Sequence, residues 1–258
     1  MPRSGSITYS VVPDEAKNLP ALILMHGAGA ASQQWPYRLR RLPGWQVFSP
    51  DLPGHGRSGG QVERKIEGYA ARVLEWMEAV SIERAVLVGH SMGAAIALAM
   101  AIQAGEKVRG LILLGAAARF PVNPMLLEKL SVPLWAQEGV NLIVKWSFSK
   151  GADQRLRQDY FKQLIANQAG VLHNDFAACS VFDVTARLSE IRQPVWLLCG
   201  EEDVMVPLRL SQELAGAIPK AKLRLLSHCG HMFFQEHAAE TAAAIEENLQ
   251  TLRLTKSD

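Results

Sequence analysis

A serine, an aspartate and a histidine occupy three places in this chain where their side chains could together carry out nucleophilic catalysis. Ser91 is the middle residue of Gly-His-Ser-Met-Gly at positions 89–93, between an apolar strand pattern over 86–88 and an Ala-rich helix pattern over 94–102. A sharp turn from strand to helix needs small flanking residues and leaves the central side chain exposed. A serine hydroxyl needs a base to become nucleophilic, and a histidine oriented by a carboxylate serves at neutral pH.

The C-terminal part of the chain contains several candidates for the acid and the base. They are Glu201, Glu202, Asp203, His228, His231 and His237. The spacing of the three histidines would also suit zinc, but no cysteine pair and no H-E-x-x-H helix accompanies them. From the residues alone, the choice within each cluster stays open.

Each of these candidates follows a predicted buried strand. Short apolar runs predict core strands over residues 21–25, 45–49, 86–88, 108–114, 195–198 and 222–226. Helical patterns between many of them predict a parallel sheet with right-handed crossovers. The carboxyl ends of such strands meet at one edge, where ligands bind. We therefore expect Ser91, the two C-terminal clusters and the glycine-rich loop at 26–30 to lie close together.

Five motifs in this order resemble those of the α/β-hydrolase family, and within it the small capped serine carboxylesterases. They are H-G-A-G at 26–29, D-L-P-G-H-G-R-S at 51–58, G-H-S-M-G at 89–93, G-E-E-D-x-x-V-P at 200–207 and G-H-M at 230–232. The resemblance implies an α/β fold with a mostly parallel central sheet, helices on both faces and a helical cap insertion. It also selects Asp203 as the acid and His231 as the base for Ser91.

The same resemblance implies an oxyanion hole formed by the backbone N–H groups of Ala28 and Met92. It implies neither a cofactor nor a metal. In the turn at 51–58, Asp51, His55 and Arg57 are given no chemical step, because the resemblance implies a mostly structural role for this loop. We expect the histidine and the arginine of this turn to lie at the surface.

The alternation of strands and helices stops between residues 115 and 194, which indicates an insertion. Helical patterns cover 133–148, 153–168 and 171–182, so we assign 118–182 to a helical cap and 1–117 with 183–258 to the hydrolase core. Large apolar side chains in the cap would line an acyl pocket or form the cap's own core. These side chains are Trp135, Leu142, Trp146 and Phe148. Elsewhere, we predict an edge strand over 7–12 and a helix over 31–41 that buries Trp35.

Composition narrows the class of protein. With 258 residues, 48% hydrophobic content and a net charge of +2, the chain suits one soluble domain with an insertion and gives no reason to expect nucleic acid as a partner. No apolar run approaches the roughly 20 residues of a membrane helix, and no signal-peptide pattern is evident. Three widely spaced cysteines predict free thiols in a reducing compartment, so we expect a cytoplasmic location.

These observations predict hydrolysis of short- to medium-chain carboxylic esters through an acyl-Ser91 intermediate, with a small-molecule ester as the binding partner. The same triad would also support hydrolysis of lactones or thioesters, perhydrolysis, or carbon–carbon bond hydrolysis of dienone acids. A non-catalytic binding protein on this scaffold is a further alternative. A carbon–carbon hydrolase would need basic groups facing Ser91, and the sequence does not place Arg119 or Arg155. The natural substrate and the oligomeric state do not follow from the sequence.

Overall fold

The computed structural model describes residues 1–13, 19–167 and 170–254, with side chains up to residue 252. Its centre is an eight-stranded sheet with the strand order β1-β2-β4-β3-β5-β6-β7-β8. The strands are Arg3–Ser4 (β1), Ile7–Val12 (β2), Ala21–Met25 (β3), Gln46–Pro50 (β4), Ala85–His90 (β5), Val108–Leu114 (β6), Val195–Gly200 (β7) and Lys222–Leu226 (β8). Pairing is parallel from β4 through β8 and antiparallel among β1, β2 and β4. The predicted mostly parallel sheet is confirmed.

The central strands are apolar throughout because both faces of the sheet are covered. In β3, Ile23 and Met25 pack on one face while Leu22 and Leu24 pack on the other. The same alternation holds in β5 and β6. The predicted edge strand over 7–12 is present, but the two-residue β1 pairs with its outer side, so β2 is next to the edge.

The described helices cover both faces of the sheet. They are Ile66–Ala79 (α1), Met92–Gln103 (α2), Pro124–Ser131 (α3), Ala136–Ser147 (α4), Gln154–Ile165 (α5), Val171–Ser180 (α6), Leu208–Ala217 (α7), Phe233–Glu236 (α8) and Ala238–Leu254 (α9). Side chains of α1, α2 and α7 join one core cluster, and those of α9 join the other. The apolar stripe of α1 is buried at Ile66, Ala70, Val73 and Met77.

The predicted helix over 31–41 is wrong. Two short 3₁₀ turns, Ser32–Gln34 and Leu39–Arg41, occupy this region instead. Pro36 lies between them, and its ring and missing N–H prevent a continuous α-helix. Trp35 is buried as predicted.

Helices α3 to α6 lie between β6 and β7, in the segment proposed as the cap. Arg119 and Asp183 form an isolated antiparallel bridge at the two ends of this segment. Helix α3 was not predicted, although Asn123 and Pro124 are a strong start signal. The Asn123 side chain accepts a hydrogen bond from the Met125 N–H at 2.9 Å.

Two further features are the lengths of the apolar helices and the state of the cysteines. In the described part, no helix has both the length and the apolar character needed to cross a bilayer. The three cysteines, Cys179, Cys199 and Cys229, are free and buried.

Candidate active site

Ser91 lies at a strained turn between β5 and α2. Its φ and ψ angles are 53° and −115°, a conformation that is rare for a residue with a side chain. The flanking glycines make this turn possible, because a Cβ on Gly89 would lie 2.3 Å from the Gly93 carbonyl oxygen. A Cβ on Gly93 would lie 2.2 Å from the Met25 carbonyl oxygen. The two glycines therefore let strand and helix approach closely around the half-buried Ser91.

A buried histidine–carboxylate pair lies at the carboxyl ends of β7 and β8. His231 Nδ1 is 2.7 Å from Asp203 Oδ2, and both side chains are almost fully buried. The other oxygen of Asp203 accepts a hydrogen bond from the Val206 N–H at 2.8 Å, which fixes the carboxylate plane. Since a carboxylate only accepts hydrogen bonds, Nδ1 carries the proton, and the lone pair of Nε2 is available for a proton from another group.

The two glutamates beside Asp203 have different partners. Glu201 accepts a hydrogen bond from the backbone N–H of His228, and Glu202 accepts one from the backbone N–H of Lys150. Thus, of the three candidate acids, Asp203 is the one bonded to the imidazole of His231.

Gly115 lies between the serine turn and His231. The Ser91 N–H donates to the carbonyl oxygen of Leu114 at 2.9 Å, and a Cβ on the next residue, Gly115, would lie 2.8 Å from His231 Cε1. Within the described part of the chain, the Ser91 hydroxyl makes no hydrogen bond to His231. Catalytic hydrogen bonds are often long until substrate binds, so this geometry is compatible with proton transfer between the two.

His90 packs against the ring of His231 and is hydrogen-bonded to its backbone. Its ring centroid lies 4.6 Å from those of His231 and Phe234, and Nε2 donates to the His231 carbonyl oxygen at 3.1 Å. Burial, followed by the nearby His231, holds the pKa of His90 well below its ordinary value. His90 is therefore a neutral packing group that holds the backbone of its neighbour.

The loop Gly27-Ala28-Gly29 follows β3 and faces Ser91; because Ala28 is a predicted oxyanion donor, it is called the oxyanion loop. A Cβ on Gly27 would lie 3.4 Å from Ser91 Cβ. The Ala28 N–H has no hydrogen-bond acceptor in the described residues, and Met92, as the first residue of α2, has no acceptor for its N–H within the helix. These two N–H groups are therefore free to bind a developing oxyanion.

His26 anchors this loop to the rest of the core. Its Nε2 accepts a hydrogen bond from the Leu52 N–H at 3.0 Å, and Nδ1 donates to the Gly27 carbonyl oxygen at 2.9 Å. Burial, reinforced by the charge of His55, lowers the pKa of His26 to about 4. A neutral imidazole with one donor and one acceptor suits both of its partners.

His55 is completely buried, so the expectation that it lies at the surface is wrong. Its partner, Asp175, comes from helix α6 in the cap, 120 residues further along the chain, and sequence alone gives no signal for this pairing. Arg57 is exposed as expected. Asp51 is buried and accepts hydrogen bonds from the N–H groups of Ser32 and Arg57 at 2.7 and 2.9 Å, which gives it a structural role in the turn.

Ser91 and Ala28 open onto a cavity of about 320 Å³ that side chains of α3, α4 and α6 also line. Its other lining residues are Phe120, Pro121, Val122, Asn123, Leu126, Trp146, Phe176, Cys179, Val204, Met205 and Val206. Many belong to loops after β6 and β7, so the strand-end signal that located Asp203 could also have found them.

Of the four cap residues considered for the acyl pocket, Trp146 lines this cavity. The structure places the other three elsewhere. Leu142 and Phe148 pack in the core shared by the cap and the sheet, and Trp135 is 40% exposed on the surface of the cap. A bulky apolar residue in an amphipathic helix serves either role, and only the packing of the helices decides which.

The described residues contain no group of three or more His, Cys, Asp or Glu side chains arranged to hold a metal ion. A larger depression of about 720 Å³ lies elsewhere, lined by charged side chains and Trp76, with no candidate catalytic residue.

Comparison with known proteins agrees with this architecture. A model of the Alpha/beta hydrolase family matches residues 22–244. The chain is 30% identical to a 2-hydroxy-6-oxo-6-phenylhexa-2,4-dienoate hydrolase from Burkholderia cepacia, over 91% of this chain and 89% of that protein. It is also 30% identical to a pimeloyl-[acyl-carrier protein] methyl ester esterase from Aromatoleum aromaticum, over 89% of this chain and 98% of that protein.

Among solved structures, the enol-lactonase from Burkholderia xenovorans LB400 has a TM-score of 0.88 at 21% identity, covering 95% of this chain and 96% of that one. At this identity the likeness concerns the fold, whereas the family match extends over most of the sequence. The chain therefore belongs to the alpha/beta hydrolase family.

Proposed function

We propose that this protein hydrolyses uncharged carboxylic esters of short to medium acyl chain length through an acyl-Ser91 intermediate. The observation that carries the proposal is the buried His231–Asp203 pair beside a serine at a strained turn that opens onto an apolar cavity. These are the nucleophile, base and orienting carboxylate that acyl transfer requires.

In the proposed reaction, His231 Nε2 takes the proton of the Ser91 hydroxyl as its oxygen attacks the ester carbonyl carbon. The carbonyl oxygen becomes an oxyanion and accepts hydrogen bonds from the Ala28 and Met92 N–H groups. When the carbon–oxygen bond to the alcohol breaks, His231 returns the proton to the leaving alkoxide. Water, deprotonated by the same imidazole, then attacks the acyl carbon. His231 returns this proton to Ser91 Oγ as the bond between Oγ and the acyl carbon breaks and the acid leaves. Asp203 stabilises the imidazolium that forms in each half-reaction.

The lining of the cavity supports an uncharged substrate. Its side chains are apolar apart from Ser91, Asn123 and Cys179, and no charged residue is among those described there. Burial, with a contribution from Asp175, raises the pKa of the Cys179 thiol, so that this group stays neutral. A volume of about 320 Å³ is near the lower end of the range of about 300–1,000 Å³ for small-molecule pockets. A compact acyl group fits this space, whereas a buried carboxylate would lack a counter-charge.

This lining also favours ester hydrolysis over carbon–carbon hydrolysis of dienone acids, although one relative is a 2-hydroxy-6-oxo-6-phenylhexa-2,4-dienoate hydrolase. Arg119 lines a separate depression with Asp183, and Arg155 is 86% exposed beside Asp159 on the outside of the cap. Neither arginine reaches the cavity at Ser91. A substrate carboxylate would therefore find no cationic side chain among the described lining residues.

A panel of p-nitrophenyl esters with acyl chains of increasing length tests the proposal. We expect kcat/KM to be greatest for short to medium chains and to fall steeply for long chains and for acyl groups that carry a carboxylate. A fluorophosphonate probe should label the wild-type protein, and peptide mapping should find the label on Ser91.

The matched variant is Ser91→Ala, which removes one oxygen atom from the turn. We expect an unchanged fold by circular dichroism, no fluorophosphonate label and a loss of at least about 10⁴-fold in kcat. Full hydrolysis by this variant would eliminate Ser91 as the nucleophile. A wild-type protein that prefers lactones, thioesters or dienone acids over all simple esters would refute the proposed substrate class while leaving the serine mechanism intact.

A further inference from the structure

Two cap side chains hold the oxyanion loop by hydrogen bonds to the backbone N–H and the carbonyl oxygen of Gly29. The Gly29 N–H donates to Asp175 Oδ2 at 2.8 Å, and the Gly29 carbonyl oxygen accepts from Asn167 Nδ2 at 2.7 Å. Gly29 has a φ of +62°, and a Cβ at this position would lie 2.2 Å from Leu172 Cδ2 in the cap. Only glycine fits here. The backbone next to Ala28 is therefore oriented by groups that belong to a different part of the fold.

Asp175 is fully buried and completely hydrogen-bonded. Oδ2 accepts from His55 Nε2 at 2.7 Å as well as from Gly29, and Oδ1 accepts from the Tyr69 hydroxyl at 2.7 Å. His55 Nδ1 donates to the Pro53 carbonyl oxygen at 3.0 Å. Both ring nitrogens of His55 thus face oxygens that only accept, which makes the ring an imidazolium and the pair an ion pair.

Helix α6, which carries Asp175, also contacts the cavity. Phe176 and Cys179 line the space next to Ser91, whereas Asp175 points to the oxyanion loop and to the core. One helix therefore contacts the space for the acyl group and holds the loop that carries the Ala28 N–H. The cleavage mechanism proposed above assigns no role to Asp175, His55 or Asn167.

We propose that Asp175 and Asn167 are positioning residues that hold the oxyanion loop, so that the Ala28 N–H points to the oxyanion only while α6 is packed in place. His55 is the buried counter-charge that pairs with the Asp175 carboxylate in the core. The proposal rests on the proposed function, since it requires acyl transfer at Ser91 and an oxyanion bound by Ala28. It makes correct packing of the cap a condition for transition-state stabilisation.

Two cap asparagines provide a matched pair of variants. Asn167 donates its side-chain amide to the Gly29 carbonyl oxygen, and Asn174 donates its own to the Gly170 carbonyl oxygen at 2.9 Å, away from the oxyanion loop. Alanine at position 174 removes one such hydrogen bond, whereas alanine at position 167 also removes bonds to the carbonyl oxygens of Leu164 and Gln163 at 3.0 and 3.4 Å. We expect Asn167→Ala to lower kcat about 10-fold and Asn174→Ala to change it less than about twofold, since complete loss of an oxyanion donor costs about 10²–10³-fold.

Asp175→Asn keeps the shape of the side chain and removes its charge. We expect kcat to fall about 100-fold, within the range for a lost oxyanion donor. The affinity for a transition-state analogue distinguishes positioning from simple destabilisation. A trifluoromethyl ketone with the acyl chain of the best ester forms a tetrahedral oxyanion on Ser91, so its Ki should rise by the same factor as kcat falls. The Ki of the product acid, which forms no oxyanion, should change less than about threefold.

Unchanged kcat and trifluoromethyl ketone affinity in Asn167→Ala would overturn the positioning role, and this variant keeps the test decisive if Asp175→Asn does not fold. Equal losses in Asn167→Ala and Asn174→Ala would also overturn it, because they would indicate general loosening of the cap. A wild-type protein that neither cleaves esters nor binds the ketone would refute the proposed function itself, and the positioning role with it.

Discussion

Two buried histidine–carboxylate pairs in the described part of the chain have the same length and different consequences. His231 and Asp203 are 2.7 Å apart, as are His55 and Asp175. In the first pair, one ring nitrogen bonds the carboxylate and the other has no partner in the described residues. In the second pair, the remaining nitrogen donates to the Pro53 carbonyl oxygen. The partner of the second nitrogen is thus the main difference between them.

That difference separates proton transfer from structural support. A histidine with one free nitrogen can accept a proton and return it, as the proposed base must. A histidine whose two nitrogens both donate is held as an imidazolium and has no lone pair for catalysis. Burial alone opposes this charge, but the charge and the hydrogen bond of Asp175 outweigh burial and raise the pKa of His55. Under the proposed mechanism the two similar pairs serve different purposes: His231–Asp203 takes part in proton transfer, and His55–Asp175 holds helix α6 against the core.

The largest expected effect is on catalysis by the first pair. We expect His231→Gln to lower kcat by at least about 10⁴-fold, because glutamine cannot take the proton of Ser91. His55→Gln should lower kcat by no more than about 100-fold, through displacement of the oxyanion loop. Steady-state kinetics on the best p-nitrophenyl ester measures both. Equal losses in the two variants would remove the distinction between the pairs.

The second expected effect is on stability, and here His55→Gln should have the larger effect of the two variants. His55→Gln leaves the Asp175 carboxylate buried without its counter-charge, so we expect it to lower the free energy of unfolding by about 3–5 kcal/mol. His231→Gln should cost less than about 2 kcal/mol, because the amide can still donate to Asp203. Urea denaturation followed by tryptophan fluorescence measures both. A greater loss of stability in His231→Gln would contradict the structural role assigned to His55.

The smallest effect is a pH dependence of stability that belongs to His55. Because pairing raises its folded-state pKa above the unfolded value of about 6.5, the pair stabilises the fold fully below that pH and less as the pH rises through the folded pKa. The groups around His55 are Asp175, Tyr69, His26 and Asp51. His26, with a pKa lowered to about 4, is neutral in this range, and the pKa of Tyr69 is raised.

Urea denaturation of the wild type and His55→Gln between pH 6 and pH 9 tests this dependence. The stability difference between them should shrink with rising pH, with a slope of at most about 1.4 kcal/mol per pH unit for one proton. A difference that grows with pH would show that His55 is neutral in the folded protein.

Most of the sheet was predictable because buried parallel strands have a distinctive composition. Ala21–Met25 and Val108–Leu114 have the predicted boundaries, since short apolar runs between helices have few alternatives. Lys222–Leu226 also has the predicted boundaries, but it lies at the edge of the sheet and is mostly exposed, so its prediction as a core strand is wrong. The cap was less predictable. Its helix α3 was missed, and three of the four residues considered for the acyl pocket lie outside the cavity. Amphipathic helices show which residues are buried but do not show which neighbour covers them.

The sequence by itself determined the parallel sheet, the strand ends at which Ser91, Asp203 and His231 lie, and the glycines that allow the turn at Ser91. These features depend on local steric limits and on the period of apolar residues along the chain. Only the tertiary structure decided that Asp175 pairs with His55, that Asn167 and Asp175 hold Gly29, and that the described residues lining the cavity at Ser91 include no cation. Such contacts join segments more than 100 residues apart, and they arise from how the cap packs on the core.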